Sequence, residues 1–397
     1  MVDLVNIASM SRGRGLLGAF ALCLGVTGCG GFDPHFELES VRDGDVDQVV
    51  YDEMIRQRIV GLGLSVVVDG KPVYARGYGR EDWEQKTPVD PAKTLFRWAS
   101  VSKTVTGSLG ALLASRGELD LDAEVRATYP RYEKPKVTLR QLLGHTSGAM
   151  HYDNGSVDPE PSNSQVNDPS INTGIEWALD EWIDEPLLFP PGDRFSYSTF
   201  GFNLAGVTIE KAIPDARSFW ELVRDEIANP FGMTAFQPDY GWEAIPRRSK
   251  GYVRPDPESE VVYEDDDDDV SWKLPGGGFM STTEDMARYC AGLFDPARFP
   301  QGARDLAWTR GHTNDGAETG YGLGFRVGNK RVSHSGRQQK AESLVWIYPE
   351  ERMCFAALSN TCDEDSEDDG VVLDRILDAV EGIVRTRLAA GSAPIIE

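Results

Sequence analysis

With 397 residues, 40% of them hydrophobic and 10% aromatic, the chain has material for a sizeable core in one large two-lobed domain or two small ones. Its formal charge of −24 comes without any basic patch, which argues against nucleic acid as a partner. The five histidines show no paired ligand spacing and no His-Glu-x-x-His, and no glycine-rich phosphate loop opens a helix, so neither a metal nor a cofactor is expected.

At the N-terminus, Arg12 and Arg14 precede an apolar stretch over residues 16–26, too short to span a membrane and of signal-peptide length. It ends in Val26-Thr27-Gly28-Cys29, which resembles a bacterial lipobox. The expectation is a signal over 1–28, lipidation at Cys29 and an acidic tether over 29–48, giving an extracytoplasmic protein anchored to the cell envelope. Residues 51–60 read as a helix. Residues 64–68 and 72–78 alternate around Asp69-Gly70 and predict a hairpin.

The stretch that organises the chain is 96–115. An aromatic lead-in, Phe96 and Trp98, runs into Ser100, after which Val101, Val105, Leu109 and Leu112 follow the spacing of an apolar helical stripe. Ser100 and Lys103 are three apart, so a helix places them on one face. A serine hydroxyl needs a base to become a nucleophile, and a lysine serves as one when burial disfavours its ammonium form. The pair is a candidate nucleophile and base.

From about 125 to 275 the texture changes to short helices and long Pro-, Asn- and Asp-rich loops, with helices expected over 139–143, 176–183, 201–212 and 219–228. Residues 275–279 read as a tight glycine loop, followed by a helix over 284–293 capped by Thr283. Strands over 322–327, 330–334, 342–347 and 352–358 form an antiparallel meander, and a helix over 371–387 closes the chain. Hairpin first and meander last imply an α+β fold: one antiparallel sheet built from both chain ends and flanked by helices, with an inserted helical lobe. The acidic runs 264–269 and 363–369 read as solvated loops. Among the cysteines past the signal and lipobox, Cys354 and Cys362 are close enough in sequence to bridge across a turn, with Cys290 left over.

Two further clusters carry chemistry. Tyr197-Ser198-Thr199 follows a Pro/Gly loop and leads into a helix, so Tyr197 is a candidate acid/base; Tyr152-Asp153-Asn154 is a weaker rival. His334-Ser335-Gly336 ends a sheet strand, where His and a hydroxyl can bind a substrate carbonyl or carboxylate. The amides of Ser100 and Arg337 then form an oxyanion hole. His145 and Ser147 stitch a loop beneath the site.

Ser100-x-x-Lys103, Tyr197-Ser198-Thr199 and His334-Ser335-Gly336, in that order, resemble the serine beta-lactamase and penicillin-binding-protein superfamily. The flanks Leu142-Leu143-Gly144-His145-Thr146-Ser147-Gly148, Gly276-Gly277-Gly278-Phe279 and Gly320-Tyr321-Gly322-Leu323-Gly324-Phe325 narrow this to its class C-related hydrolases, including the mitochondrial beta-lactamase-like branch. The resemblance implies a beta-lactamase/transpeptidase-like fold over 49–390, with an α/β lobe from 49–125 and 276–390 and a helical lobe over 126–275. It implies Ser100 as acylated nucleophile, Lys103 as base, Tyr197 as acid/base, and Thr199, His334, Ser335 and Gly336 lining the substrate. Thr199 stands where true beta-lactamases carry Asn, and His334 where they carry Lys, which points away from efficient beta-lactam hydrolysis. The expected substrate is a small peptide or amide; an esterase with the same residues and a non-catalytic tethered binding protein are the alternatives.

Overall fold

The computed structural model describes residues 31, 45–152, 175–180, 182–255, 259–264, 269–363 and 371–395. The expected signal over 1–28, Cys29, Asp153, Asn154 and most of both acidic runs lie outside them.

Helix α1, Asp45–Gln57, begins inside the stretch expected as tether. Its apolar side, Val46, Val50 and Met54, has somewhere to go: it packs on the last helix. The hairpin follows as β1, Gly61–Val68, and β2, Lys71–Asp82, with a two-residue β3 at Thr87–Pro88. A 3₁₀ turn, Ala99–Val101, leads into α2, Ser102–Ser115. The inserted lobe contributes α3, Leu139–Leu143, whose Thr138 and Gln141 form a capping box, and α4, Thr199–Ala212. Then come α5, Thr283–Phe294, and α6, Gln301–Trp308. Strands β4, Arg326–Val327, β5, Val332–Gln338, β6, Ala341–Tyr348, and β7, Met353–Ser359, complete the meander, and α7, Val371–Ala389, ends it.

These strands form one sheet in the order β3-β2-β1-β7-β6-β5-β4, so first and last thirds of the chain meet where β1 pairs antiparallel with β7. Every residue of β6 and β7 is buried. Such unbroken burial requires cover on both faces. Met353, Phe355 and Ala357 of β7 join α1 and α7 on one side, while Cys354, Ala356 and Leu358 join the helical core on the other. A fully buried Met, Phe or Leu among them contributes roughly 1.5–3 kcal/mol, and an alanine methyl about 0.8 kcal/mol. Twelve consecutive residues of α2, 102–113, are buried, which makes it the central helix of the second core.

Several expectations are corrected. Among the described residues of 176–183 there is only a 3₁₀ turn, Trp177–Leu179; Pro186 stops a helix from extending, and Trp182 instead stacks on Phe200 with centroids 5.2 Å apart. Residues 274–277 are a short helix with proline in its first turn, not a loop. Thr282, not Thr283, caps α5. Of 322–327 only Arg326–Val327 is strand, because the Leu323 carbonyl presses on α2 at Gly107, where a Cβ would lie 2.0 Å from it. The disulfide joins Cys290 of α5 to Cys354 of β7, Cα atoms 6.1 Å apart, and Cys362 is the free, buried thiol. The alternation that turns Cys354 toward the helical core decides this: its side chain faces α5 rather than the next turn.

Candidate active site

Ser100 lies in the 3₁₀ turn where the aromatic lead-in meets α2. Phe96–Arg97 pairs with Phe279–Ser281, and Trp98 N–H donates to the Phe279 carbonyl at 2.8 Å, so the lead-in is held as a strand until the turn. Ala99 then takes a φ of +45°, a left-handed conformation costly for a residue with a Cβ. Opposite the turn, Ser343 of β6 donates to the Trp98 carbonyl at 2.6 Å. Gly336, paired with Ser343 in register, fills the gap between the sheet and Ser100.

Lys103 is fully buried as the second residue of α2, one turn beyond Ser100. Its Nζ lies 3.0 Å from Ser100 Oγ, 3.1 Å from Thr199 Oγ1 and 2.6 Å from the Gly276 carbonyl oxygen. The ammonium position is also 4.8 Å from the centre of the Tyr197 ring and 5.6 Å from that of Phe202. The structure therefore brings the first two motifs and the Gly276 carbonyl around one nitrogen. Thr199, expected at the substrate edge, is buried with its hydroxyl on Lys103. As the first residue of α4, its side chain turns inward.

The third motif lies on β5. Strand β4 pairs with β5 only at Val332 and Ser333, so from His334 onward β5 has no strand partner on that edge among the described residues. Ser335 and Arg337 are half-buried there, and the Arg337 guanidinium donates to the Asp363 carbonyl. His334 is buried and fully engaged within the protein. Its Nδ1 is 2.5 Å from the Ser335 carbonyl oxygen, which only accepts, so Nδ1 carries the proton. Nε2 then accepts from the Tyr321 hydroxyl at 2.7 Å. Both ring nitrogens are therefore taken by protein groups.

Burial, then the nearby Lys103, holds His334 and His145 well below the usual histidine range, and the same pair of causes pulls His151 to about 3. Burial pushes Tyr321 well above the usual tyrosine range. The charges acting on the three histidine rings are cations: Lys103 throughout, with Arg326 and Lys273.

The rival Tyr152 packs on His151, centroids 3.7 Å apart, and on Phe200. Sequence reasoning missed Tyr321 and the Gly276 carbonyl as site groups, and placed His145 only beneath it. A carbonyl oxygen has no sequence signature, whereas the Gly320-Tyr321-Gly322 flank offered a signal.

A half-buried serine in contact with a buried lysine at the head of a core helix, beside a strand edge of an antiparallel sheet flanked by helices, defines a beta-lactamase/transpeptidase-like fold with a serine-hydrolase site. The beta-lactamase family model matches residues 46–379, and the chain belongs to that family. Among curated relatives, "Protein flp" of Staphylococcus aureus (strain NCTC 8325 / PS 47) is 24% identical over 335 residues, with 79% of this chain and 62% of the relative covered. "Penicillin-binding protein 4*" of Bacillus subtilis is 27% identical, covering 77% and 68%, and the human mitochondrial serine beta-lactamase-like protein LACTB is 26% identical, covering 58% and 52%. The chain thus spans about six-tenths of the length of the first of these relatives. Among solved structures, D-amino acid amidase from Ochrobactrum anthropi SV3 superposes with a TM-score of 0.68 at 22% identity, over 85% of this chain and 99% of that one. The octameric penicillin-binding protein homologue from Pyrococcus abyssi gives 0.64 at 21%, over 89% and 78%. At these identities the structures establish the fold.

Proposed function

We propose that the chain is an extracytoplasmic serine hydrolase that forms an acyl-enzyme on Ser100, acting on small peptides or amides. The observation that carries this reading is the set of oxygens around Lys103. As a neutral amine, lysine has two N–H groups and one lone pair. The Gly276 carbonyl and Thr199 hydroxyl occupy the two donors, which leaves the lone pair for the Ser100 hydroxyl at 3.0 Å. Ser100 Oγ attacks the acyl carbon as Lys103 takes its proton, and the amides of Ser100 and Arg337 hold the oxyanion. Tyr197, its ring against Lys103, passes a proton to the leaving group. Water reverses the sequence and frees Ser100.

The amidase and penicillin-binding-protein neighbours support an amide substrate, D-amino-acid peptides included. The Cys290–Cys354 disulfide supports an oxidising compartment, as the lipobox-like Cys29 supports a membrane anchor. The test is a panel of D- and L-amino-acid amides, dipeptides and nitrophenyl esters at equal enzyme concentration, with Ser100→Ala as control. Amide turnover lost in the variant supports the reading. Ester turnover alone replaces it with an esterase, and undiminished turnover by the variant removes it.

A further inference from the structure

Two histidines outside the three motifs grip the second motif by consecutive backbone groups. His145 Nδ1 accepts from Ser198 N–H at 3.0 Å, and His151 Nδ1 accepts from Thr199 N–H at 3.3 Å. Both rings also face the residue before these amides: the Tyr197 ring centre is 4.3 Å from that of His145 and 5.4 Å from that of His151. Tyr197 is thus held from two sides of its ring and through the two peptide units that follow it.

An Nδ1 that accepts from N–H carries no proton, so both imidazoles are neutral with the hydrogen on Nε2. Packing alone does not account for His145. It is 1% exposed, sits at a φ of +58°, and its Nε2 is buried without a hydrogen-bond partner. A buried unpaired donor costs free energy that an apolar ring of similar size would avoid. What an apolar ring cannot supply is the acceptor for Ser198 N–H.

We infer that His145 and His151 are positioning residues that fix Tyr197 for proton transfer, acting as neutral acceptors for the 198 and 199 amides. This rests on the serine-hydrolase reading above. Protonation of either ring would set an N–H against a backbone N–H and release the segment. Burial opposes that protonation first, and the cations near each ring, Arg326 at His145 and Lys273 at His151, oppose it further.

The test is the rate at which a fluorophosphonate labels Ser100, followed by intact mass on the full chain. His145→Gly keeps the left-handed backbone but removes the acceptor, whereas His145→Asn keeps both. His151→Leu and His151→Asn form the second pair. The acceptor-less variants are expected to label more slowly, on the order of tenfold to a hundredfold, with the asparagine variants recovering most of the rate. Combined with Tyr197→Phe, they should slow labelling no further than Tyr197→Phe alone. Wild-type rates in the acceptor-less variants, or slowing that multiplies with Tyr197→Phe, overturn the inference. Independently of variant folding, ¹⁵N spectra of the wild type should show both rings as Nε2–H tautomers; an Nδ1–H tautomer at either position also overturns it. A wild type that takes no label overturns the parent reading and this one together, which separates the two failures.

Discussion

Gly336 backs onto the amide nitrogen of Ser100. A Cβ built at residue 336 would lie 2.8 Å from that nitrogen, 2.6 Å from the Trp98 carbonyl oxygen and 2.4 Å from Ser343 Oγ. All three are closer than a methyl group tolerates, and two are backbone atoms that cannot swing aside. Gly336→Ala should therefore push β5 away from the nucleophile. Overpacking of this kind costs about 1–3 kcal/mol, and a displacement near 1 Å costs roughly a hundredfold in rate. Thermal melting and fluorophosphonate labelling of the variant check both: a folded protein that labels at the wild-type rate would contradict the placement.

Lys103→Met removes the amine but keeps most of the side-chain volume. Because the residue is wholly buried, the change should leave the melting temperature unchanged or higher. Labelling of Ser100 should fall by about 10²–10⁴. A large loss of stability with little loss of labelling would make Lys103 a structural residue.

The buried histidines set a pH dependence. The folded state keeps His145, His151 and His334 unprotonated while the unfolded chain protonates each near 6.5. As pH falls below that value the unfolded state binds more protons, so stability drops, by about 1.4 kcal/mol per pH unit per group. Glu342 works the other way: burial and then Asp363 push its carboxyl up to about 7, so its folded form gains a proton that the unfolded one lacks until near 4.5. Three histidines against this carboxyl leave the balance with the histidines, so urea midpoints should fall as the buffer is acidified from 6.5 toward 4.5. Flat midpoints over that window would contradict the neutral, buried rings.

The Cys290–Cys354 bridge closes a long loop, with the two residues 64 apart in sequence. Loop-closure entropy assigns it about 4 kcal/mol, so Cys290→Ser should lower stability by that order while leaving the labelling rate of the folded protein intact. Cys362, its thiol pushed by burial to about 11, should resist alkylation until the chain unfolds. Rapid alkylation of native Cys362 would contradict its burial.

The parts legible in the sequence were those with local signals. The Asp69-Gly70 turn fixed the hairpin, and the Ser100 stretch showed both its helix and its polar pair. The meander showed in its short apolar runs, although burial on both faces hid the alternation in β6 and β7. What escaped was non-local. The place of Thr199 in its motif says nothing of the rotamer that turns it onto Lys103. Tyr321, thirteen residues from His334, occupies its Nε2 only in the fold. The cysteine pairing followed sequence distance, whereas the side of β7 that faces α5 decided it.

The central claim is that Ser100 is activated, and the most direct test is the intact mass of the protein after exposure to a fluorophosphonate, with Ser100→Ala alongside. The account predicts one adduct on the wild type and none on the variant. An unlabelled wild type, or an adduct that persists in Ser100→Ala, would contradict it.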